Sequence, residues 1–367
     1  MRDTQDNESI EMKTPQPNKI GKRAFIKSLY MSSLGLISLP LWPRPNRISE
    51  QKDLIRICFG SCNLQYKSQS FWHQILKYRP DHWLFLGDNI YGNTRDIDIL
   101  RKKYNELKSN RHYRFFRNQV PVEGIWDDHD FGEDGANRTY PLKEESQQAF
   151  LDFFDVAKND PRREQEGIYY TKELHQGRVK LYFLDCRYFR DPKKGRKHTL
   201  LGESQWQWLE DEFSRSKAQV NIIVSPIGVL LNRLFVTEDW AEFPEEKDRL
   251  LELVAKYDLS GTFFLSGDKH FGAAIKRKWD RRGKRVRYYE LQSSGLTHTP
   301  SKKLHRLIKL FYGKKNVVVE HNFATFDIDF SKKNPQMRWI VQSLQSSRKV
   351  QRLFTLGSDG LWRNEAT

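Results

Sequence analysis

At 367 residues the chain is long enough for one large domain or two ordinary ones, and its many aromatic residues point to a sizeable core. A formal net charge of +16 favours anionic partners, whether phosphorylated substrates, nucleic acid or an anionic membrane surface, with plain solubility as the bland alternative. Three cysteines, Cys58, Cys62 and Cys186, exclude a disulfide scaffold, and the odd count leaves at least one thiol without an internal partner.

Residues 1–19 are polar and read as disordered. Gly21-Lys22-Arg23-Ala24-Phe25-Ile26-Lys27 then leads into an apolar run, Leu29 to Trp42, and basic residues ahead of a short apolar segment make a signal-peptide pattern. The run is too short and too rich in Ser for a comfortable membrane span. Lys22 to Lys27 resembles a twin-arginine export signal with Lys in place of the first arginine. No clear small-x-small cleavage site follows. A cleaved signal, an uncleaved anchor and an amphipathic N-terminal helix all stay open. Residues 1–50 are therefore read as an export segment and residues 51–367 as the folded domain, delivered to the periplasm or the exterior.

Leu54 to Phe59 alternates and stops at Gly60, a first strand, with Ser61-Cys62-Asn63 at its end. Phe71 to Tyr78 reads as a short helix. Trp83 to Leu86 is a buried strand, followed at once by Gly87-Asp88-Asn89-Ile90-Tyr91. Asp96 to Phe116 reads as one charged helix. Val122 to Trp126 is a third strand and ends in Asp127-Asp128-His129-Asp130-Phe131-Gly132. Three carboxylates and a His in four residues repel one another unless a cation neutralises them. Leu142 to Val156 is a helix. Tyr169 to Leu174 and Val179 to Leu184 form a hairpin that leads to Asp185-Cys186-Arg187. Arg187 has two readings, a phosphate clamp or a structural ion pair with Asp185 or Asp191.

Gly202 opens a helix with Trp206, Leu209 and Phe213 on one face, Val220 to Val224 is a strand, and Pro244 starts another helix. Thr262 to Leu265 is a strand ending in Ser266-Gly267-Asp268-Lys269-His270. Val286 to Leu291 and Phe323 to Phe330 are further strands, and Met337 to Leu344 with Val350 to Leu356 reads as a terminal hairpin. Two basic tracts stand apart, Lys276 to Arg287 and Lys302 to Lys315. The second, with Leu307, Ile308, Leu310 and Phe311 interleaved, is either an amphipathic helix for an anionic surface or an ordinary solvated face.

The strand ends thus gather thiolate, carboxylate, phenol and imidazole. Thiolate and imidazole suit iron or zinc, carboxylates suit calcium, magnesium or manganese, and adjacent cations clamp phosphoryl groups and generate hydroxide near neutral pH. The motifs Gly60-Ser61-Cys62, Gly87-Asp88-Asn89-Ile90-Tyr91, Trp126-Asp127-Asp128-His129-Asp130, Leu184-Asp185-Cys186-Arg187, Gly202-Glu203-Ser204-Gln205-Trp206 and Ser266-Gly267-Asp268-Lys269-His270 stand in one order. In this the chain resembles the PhoD-like alkaline phosphatases and phosphodiesterases of the metallophosphoesterase superfamily, from about residue 54 to about residue 330.

The resemblance implies an α/β fold, a four-layer α/β/β/α sandwich, and hydrolysis of phosphate esters by in-line attack of hydroxide. It implies Fe(III) held by Cys62, Asp88, Tyr91 and His270, and calcium or another divalent ion such as Mn2+ or Zn2+ near Asp88, Asp128 and Asp268, with Asp88 bridging. Asn89 and Arg187 would face the phosphate, and His129 would give a proton to the leaving group. Where family members show Asn-Asp, this chain has Glu133-Asp134-Gly135-Ala136-Asn137, and Asp134 is the substitute candidate. The larger members' leading β-sandwich domain has no room here. The terminal strands, in place of a closing helix, predict an open site. A monomer is expected, without a dedicated nucleic-acid motif. Two rival readings are a non-catalytic binder of phosphorylated polymers or lipids on the same fold, and a nucleic-acid-binding protein using the basic tracts.

Overall fold

Alternation of apolar side chains sets the layers. In the strand Val179–Phe183, Leu181 and Phe183 enter the same apolar core as Phe59 and Phe326, while Tyr182 joins Trp206, Leu209 and Phe213 on the other face. Val220–Ser225 and Phe263–Ser266 divide in the same way, Ile222, Val224, Phe263 and Leu265 inward and Ile223 and Phe264 outward. A sheet apolar on both faces must be covered on both, here by a second sheet and by helices.

The computed structural model describes residues 53–192, 198–230, 238–281 and 283–365. The expected export segment, residues 1–50, lies outside them. The strands are β1 (Leu54–Gly60), β2 (His82–Leu86), β3 (Val122–Ile125), β4 (Tyr170–Leu174), β5 (Val179–Phe183), β6 (Val220–Ser225) and β7 (Phe263–Ser266), then β8 (Gly272–Arg281), β9 (Lys284–Ser293), β10 (Val317–Val318), β11 (Asn322–Asp329), β12 (Gln336–Ser343), β13 (Lys349–Leu356) and β14 (Trp362–Asn364). The helices are α1 (Trp72–Leu76), α2 (Ile97–Ser109), α3 (Arg111–Arg117), α4 (Asp128–Phe131), α5 (Lys143–Phe153), α6 (Gly202–Ser214), α7 (Pro244–Lys256) and α8 (Lys302–Tyr312).

Two seven-stranded sheets result, in the orders β14-β13-β12-β11-β1-β2-β3 and β10-β8-β9-β7-β6-β5-β4. Helices α1, α2, α3 and α5 pack their buried aromatics into the core of the first sheet, and α6 and α7 cover the outer face of the second, which makes the four layers. Strands β1, β2 and β3 run parallel, as do β5, β6, β7 and β9. Their carboxyl ends are where sites form in α/β sheets.

Several expectations are corrected. The stretch Asp96 to Phe116 is two helices, because Asn110 leaves helical geometry and caps α3 by accepting from His112 and Tyr113 N–H. The acidic stretch after β3 winds into the single turn α4. The first basic tract lies on the β8–β9 hairpin, whose leading strand was not foreseen, and lines a cleft of about 750 Å³. The terminal hairpin gains a third strand, β14, on β13. No described helix is long and apolar enough to cross a membrane.

Candidate metal centre

Each strand end delivers its side chains through a strained or tightly approached backbone. Cys62, Asp88, Asp268 and His270 all sit in the left-handed region, with φ of 60°, 48°, 67° and 61°. Such conformations cost about 1–3 kcal/mol each and persist where the surroundings enforce them. The glycines enforce them here. Gly87 has φ +96°, and a Cβ there would meet Asp127 Cβ at 2.7 Å. At Gly267 a Cβ would meet Leu86 O at 2.5 Å and Ser61 Oγ at 2.6 Å, so only glycine lets the ends of the two sheets close on one another.

Two ligand groups follow. Cys62, Asp88 and His270 bring their donor atoms within 4.8 Å of one another, and so do Asp88, Asp128 and His129. Asp88 belongs to both. Its Oδ2 lies 3.5 Å from Cys62 Sγ and 3.4 Å from Tyr91 OH, which in turn is 3.4 Å from His270 Nε2. The buried Asp88 Oδ1 and Asn89 Oδ1 have no hydrogen-bond partner among the described residues. Burial first, then Asp128 and Asp127, pushes the Asp88 carboxyl well above the usual range, and burial likewise raises Asp127, Asp268 and the Cys62 thiol. Burial, then His298 and His129, brings His270 down to about 3, so its imidazole is neutral and free to ligate. Orphaned oxygens, crowded carboxylates and a neutral imidazole fit multivalent cations, which reverse the penalty of such crowding.

Asp130 ties the first motifs together. Its Oδ1 accepts from Asp127 N–H at 2.6 Å and its Oδ2 from Asn89 N–H at 2.9 Å, with Asn89 Nδ2 as a further donor. Asn89 Nδ2 also donates to Ile125 O, which leaves Oδ1 as its unpartnered atom. Asp128 accepts from Gly135 N–H at 2.7 Å. His129 Nδ1 lies 2.5 Å from Asn93 Oδ1, and an amide oxygen accepts, so Nδ1 carries a proton.

Arg187 takes the ion-paired reading, with different partners. It is buried and donates to Asp127 Oδ1 at 2.6 Å, pairs with Glu238 at 2.6 Å and reaches Ala136 O at 3.3 Å. Asp185 accepts its backbone N–H instead. Gln205, in the helix motif, accepts from Asp185 N–H and donates to Asp185 O, fixing the loop that carries Arg187.

A cavity of about 420 Å³ opens on the cluster. Asp88, Asp128, His129, Asp134, Asn137, Arg190, Glu238, Asp268 and His270 line it, so Asp134 does face the site. Sequence reasoning missed Asn93, Arg190, Glu238 and His298. His298 stacks on His270 with ring centroids 4.0 Å apart, and its Nδ1 is 3.2 Å from Tyr91 OH. It follows β9, which runs parallel to β7, so the strand-end rule that exposed His270 would have exposed it too.

Comparison with known proteins bears on the family and the fold. The sequence model of the PhoD-like phosphatase family matches residues 57–344. The chain belongs to that family. It is 22% identical over 314 residues to alkaline phosphatase D of Bacillus subtilis (strain 168), covering 71% of this chain but only 52% of that protein, so it spans about half the length of that relative. A solved structure titled "Structure of PhoD" superposes with a TM-score of 0.67 at 16% identity, over 86% of this chain and 72% of that one, and shares the fold. The family's two-sheet α/β fold therefore carries the cluster described above.

Proposed function

We propose that this member of the PhoD-like phosphatase family is a metal-dependent phosphoesterase, exported from the cytoplasm, that hydrolyses phosphate monoesters and diesters. The observation that carries the reading is the pair of ligand groups sharing Asp88, with orphaned Asp88 Oδ1 beside them, reached by a cavity that Asp88, Asp128, His129 and His270 line. Cys62, Asp88, Tyr91 and His270 would hold one metal, Fe(III), and Asp88, Asp128 and Asp268 a second, calcium or another divalent ion such as Mn2+ or Zn2+. Bound there, the two cations would neutralise phosphoryl charge and lower the pKa of water.

The protein's own groups do the rest. Asn89 is held by Asp130 so that its side-chain oxygen stays unpartnered within the site. His129 lines the cavity with Nδ1 engaged by Asn93, and in its doubly protonated form it has Nε2–H to give to a leaving alkoxide. Arg187 acts at one remove, holding Asp127 and lying 3.6 Å from Asp128. Export rests on the Lys22-Arg23 motif and the apolar run behind it. Fusing residues 1–50 to a reporter tests that part, and cytoplasmic retention would count against it.

Metal analysis of purified protein beside a monoester and diester screen is the main experiment. Asp88→Ala and His270→Ala should each lower turnover by several orders of magnitude while the circular dichroism melt persists. Near-normal turnover in either folded variant would sink the assignment. His129→Ala should hurt alkyl phosphates more than aryl phosphates, because an aryl oxide leaves without a proton.

A further inference from the structure

We propose that α8 docks this protein on an anionic lipid surface. Ser301 Oγ caps the helix by accepting from Leu304 N–H. The inner side of α8 sits on the fold, with Ile308 buried and Leu304 and Tyr312 partly buried against Phe271, Ala273, Val317 and Val319. At 3.6 residues per turn, Phe311 and Leu307 run off one edge of that inner stripe and Leu310 lies nearly opposite Ile308, facing away from the fold. They are 44%, 75% and 52% exposed, and Leu310 is the most exposed large apolar side chain among the described residues. Lys302, Lys303, Arg306 and Lys309 take the rest of the circumference, Lys314 and Lys315 follow, and no acidic residue occurs from Leu291 to Val319.

Apolar side chains and cations on one outward arc are the pattern of an interfacial helix. Leu307 and Leu310 enter the acyl boundary while the lysines meet anionic headgroups. Nucleic acid would match the lysines but leave the apolar side chains without a role. A second copy of the chain would bring the same positive charge to the same face. Tyr312 rests on Phe271 with ring centroids 5.1 Å apart, next in sequence to His270, so docking holds the metal centre close to the headgroups.

Binding is read without turnover, so the test stands apart from the proposed activity. The full chain is sedimented with phosphatidylcholine vesicles and with vesicles of phosphatidylcholine and phosphatidylglycerol. The expected result is salt-sensitive binding to the phosphatidylglycerol vesicles alone. A Leu307→Ser, Leu310→Ser, Phe311→Ser triple variant should lose about tenfold or more in partitioning, and Lys302→Glu with Arg306→Glu should lose about as much. If the triple variant does not melt cooperatively, Leu310→Ser carries the test with a drop of about threefold. The apolar run from Leu29 to Trp42 is present throughout, so equal partitioning of wild type and variants would assign binding to that run and overturn the proposal. Loss in the charge variant alone would make the face a polyanion site, and a dimer abolished by the triple variant would make it a self-association surface. Either result overturns the proposal as well.

Discussion

Tyr91 is the residue whose setting bears most on which cation the candidate centre would hold. Burial first, then Cys62 and Asp88, drives its phenol far above its ordinary value, so without a strongly polarising cation it stays protonated. It packs at a tilt against His129, with ring centroids 4.2 Å apart, and reaches toward Asp88, His270 and His298. Phenolate and thiolate donate charge to ferric iron and give visible absorption, whereas zinc, calcium and magnesium have no such bands. Iron-loaded protein is therefore expected to be coloured. Tyr91→Phe should shift or weaken the charge-transfer band, and Cys62→Ser should change it. Active, iron-free, colourless protein would leave Tyr91 as a packed aromatic and Cys62 as a buried thiol. That Cys62, Asp88, Asp128 and His270 would gather was legible in the sequence because each stands just beyond an apolar strand. Asn93 was not, because it stands in a loop with no apolar strand directly before it, whereas His298 was within reach of the same strand-end rule, five residues beyond the end of β9. Arg187 was legible as a cation but not by its partners, since Asp127 and Glu238 lie far from it in sequence.

At the scale of elements, period-two alternation revealed β1, a short apolar run revealed β2, and apolar spacing revealed α6 and α7. It failed at β8, where lysines and arginines dilute the pattern, and at α2–α3, where the charged surface runs unbroken through Asn110. It also could not show how β1, β11 and β12 find their register. Arg56, Asp327 and Arg338 stand directly opposite one another across those strands. Asp327 accepts from Arg56 Nε at 2.6 Å and from Arg338 at 2.7 Å. Burial alone would raise the Asp327 pKa, but the two guanidinium hydrogen bonds outweigh it and hold the carboxyl below its ordinary value. A folded-state pKa below the unfolded one gives stability that is present above the unfolded value, about 4, and lost as pH falls through the folded one. Asp327→Asn should therefore destabilise by roughly 1–3 kcal/mol near neutrality in urea titrations. The gap to wild type should close in acid. A gap that widens below about pH 4 would remove the ladder from the account.

The two sheets meet at the candidate metal centre. Cys62, Asp88 and Asp128 come from the first sheet, Asp268 and His270 from the second, and the described donor atoms of both meet around Asp88. Without cations this end of the sandwich carries Asp88, Asp127, Asp128 and Asp268 in mutual repulsion, each of the first two with an oxygen that no described residue satisfies. Cations that bind only the native arrangement would turn that repulsion into a link between the sheets and stabilise by mass action, about 4 kcal/mol at a thousandfold excess over the dissociation constant. For a domain of this size that corresponds to roughly 5–15 °C in melting temperature. Dialysis against a chelator should therefore lower the melting temperature by that order, and returning metal should restore it. Asp88→Asn removes the shared charge, so its melting temperature should respond much less to chelation, while a surface variant such as Glu203→Gln should respond as wild type does. Equal melting temperatures with and without chelator, in protein shown by analysis to have lost its metal, would mean that the sheets hold this end closed by packing alone.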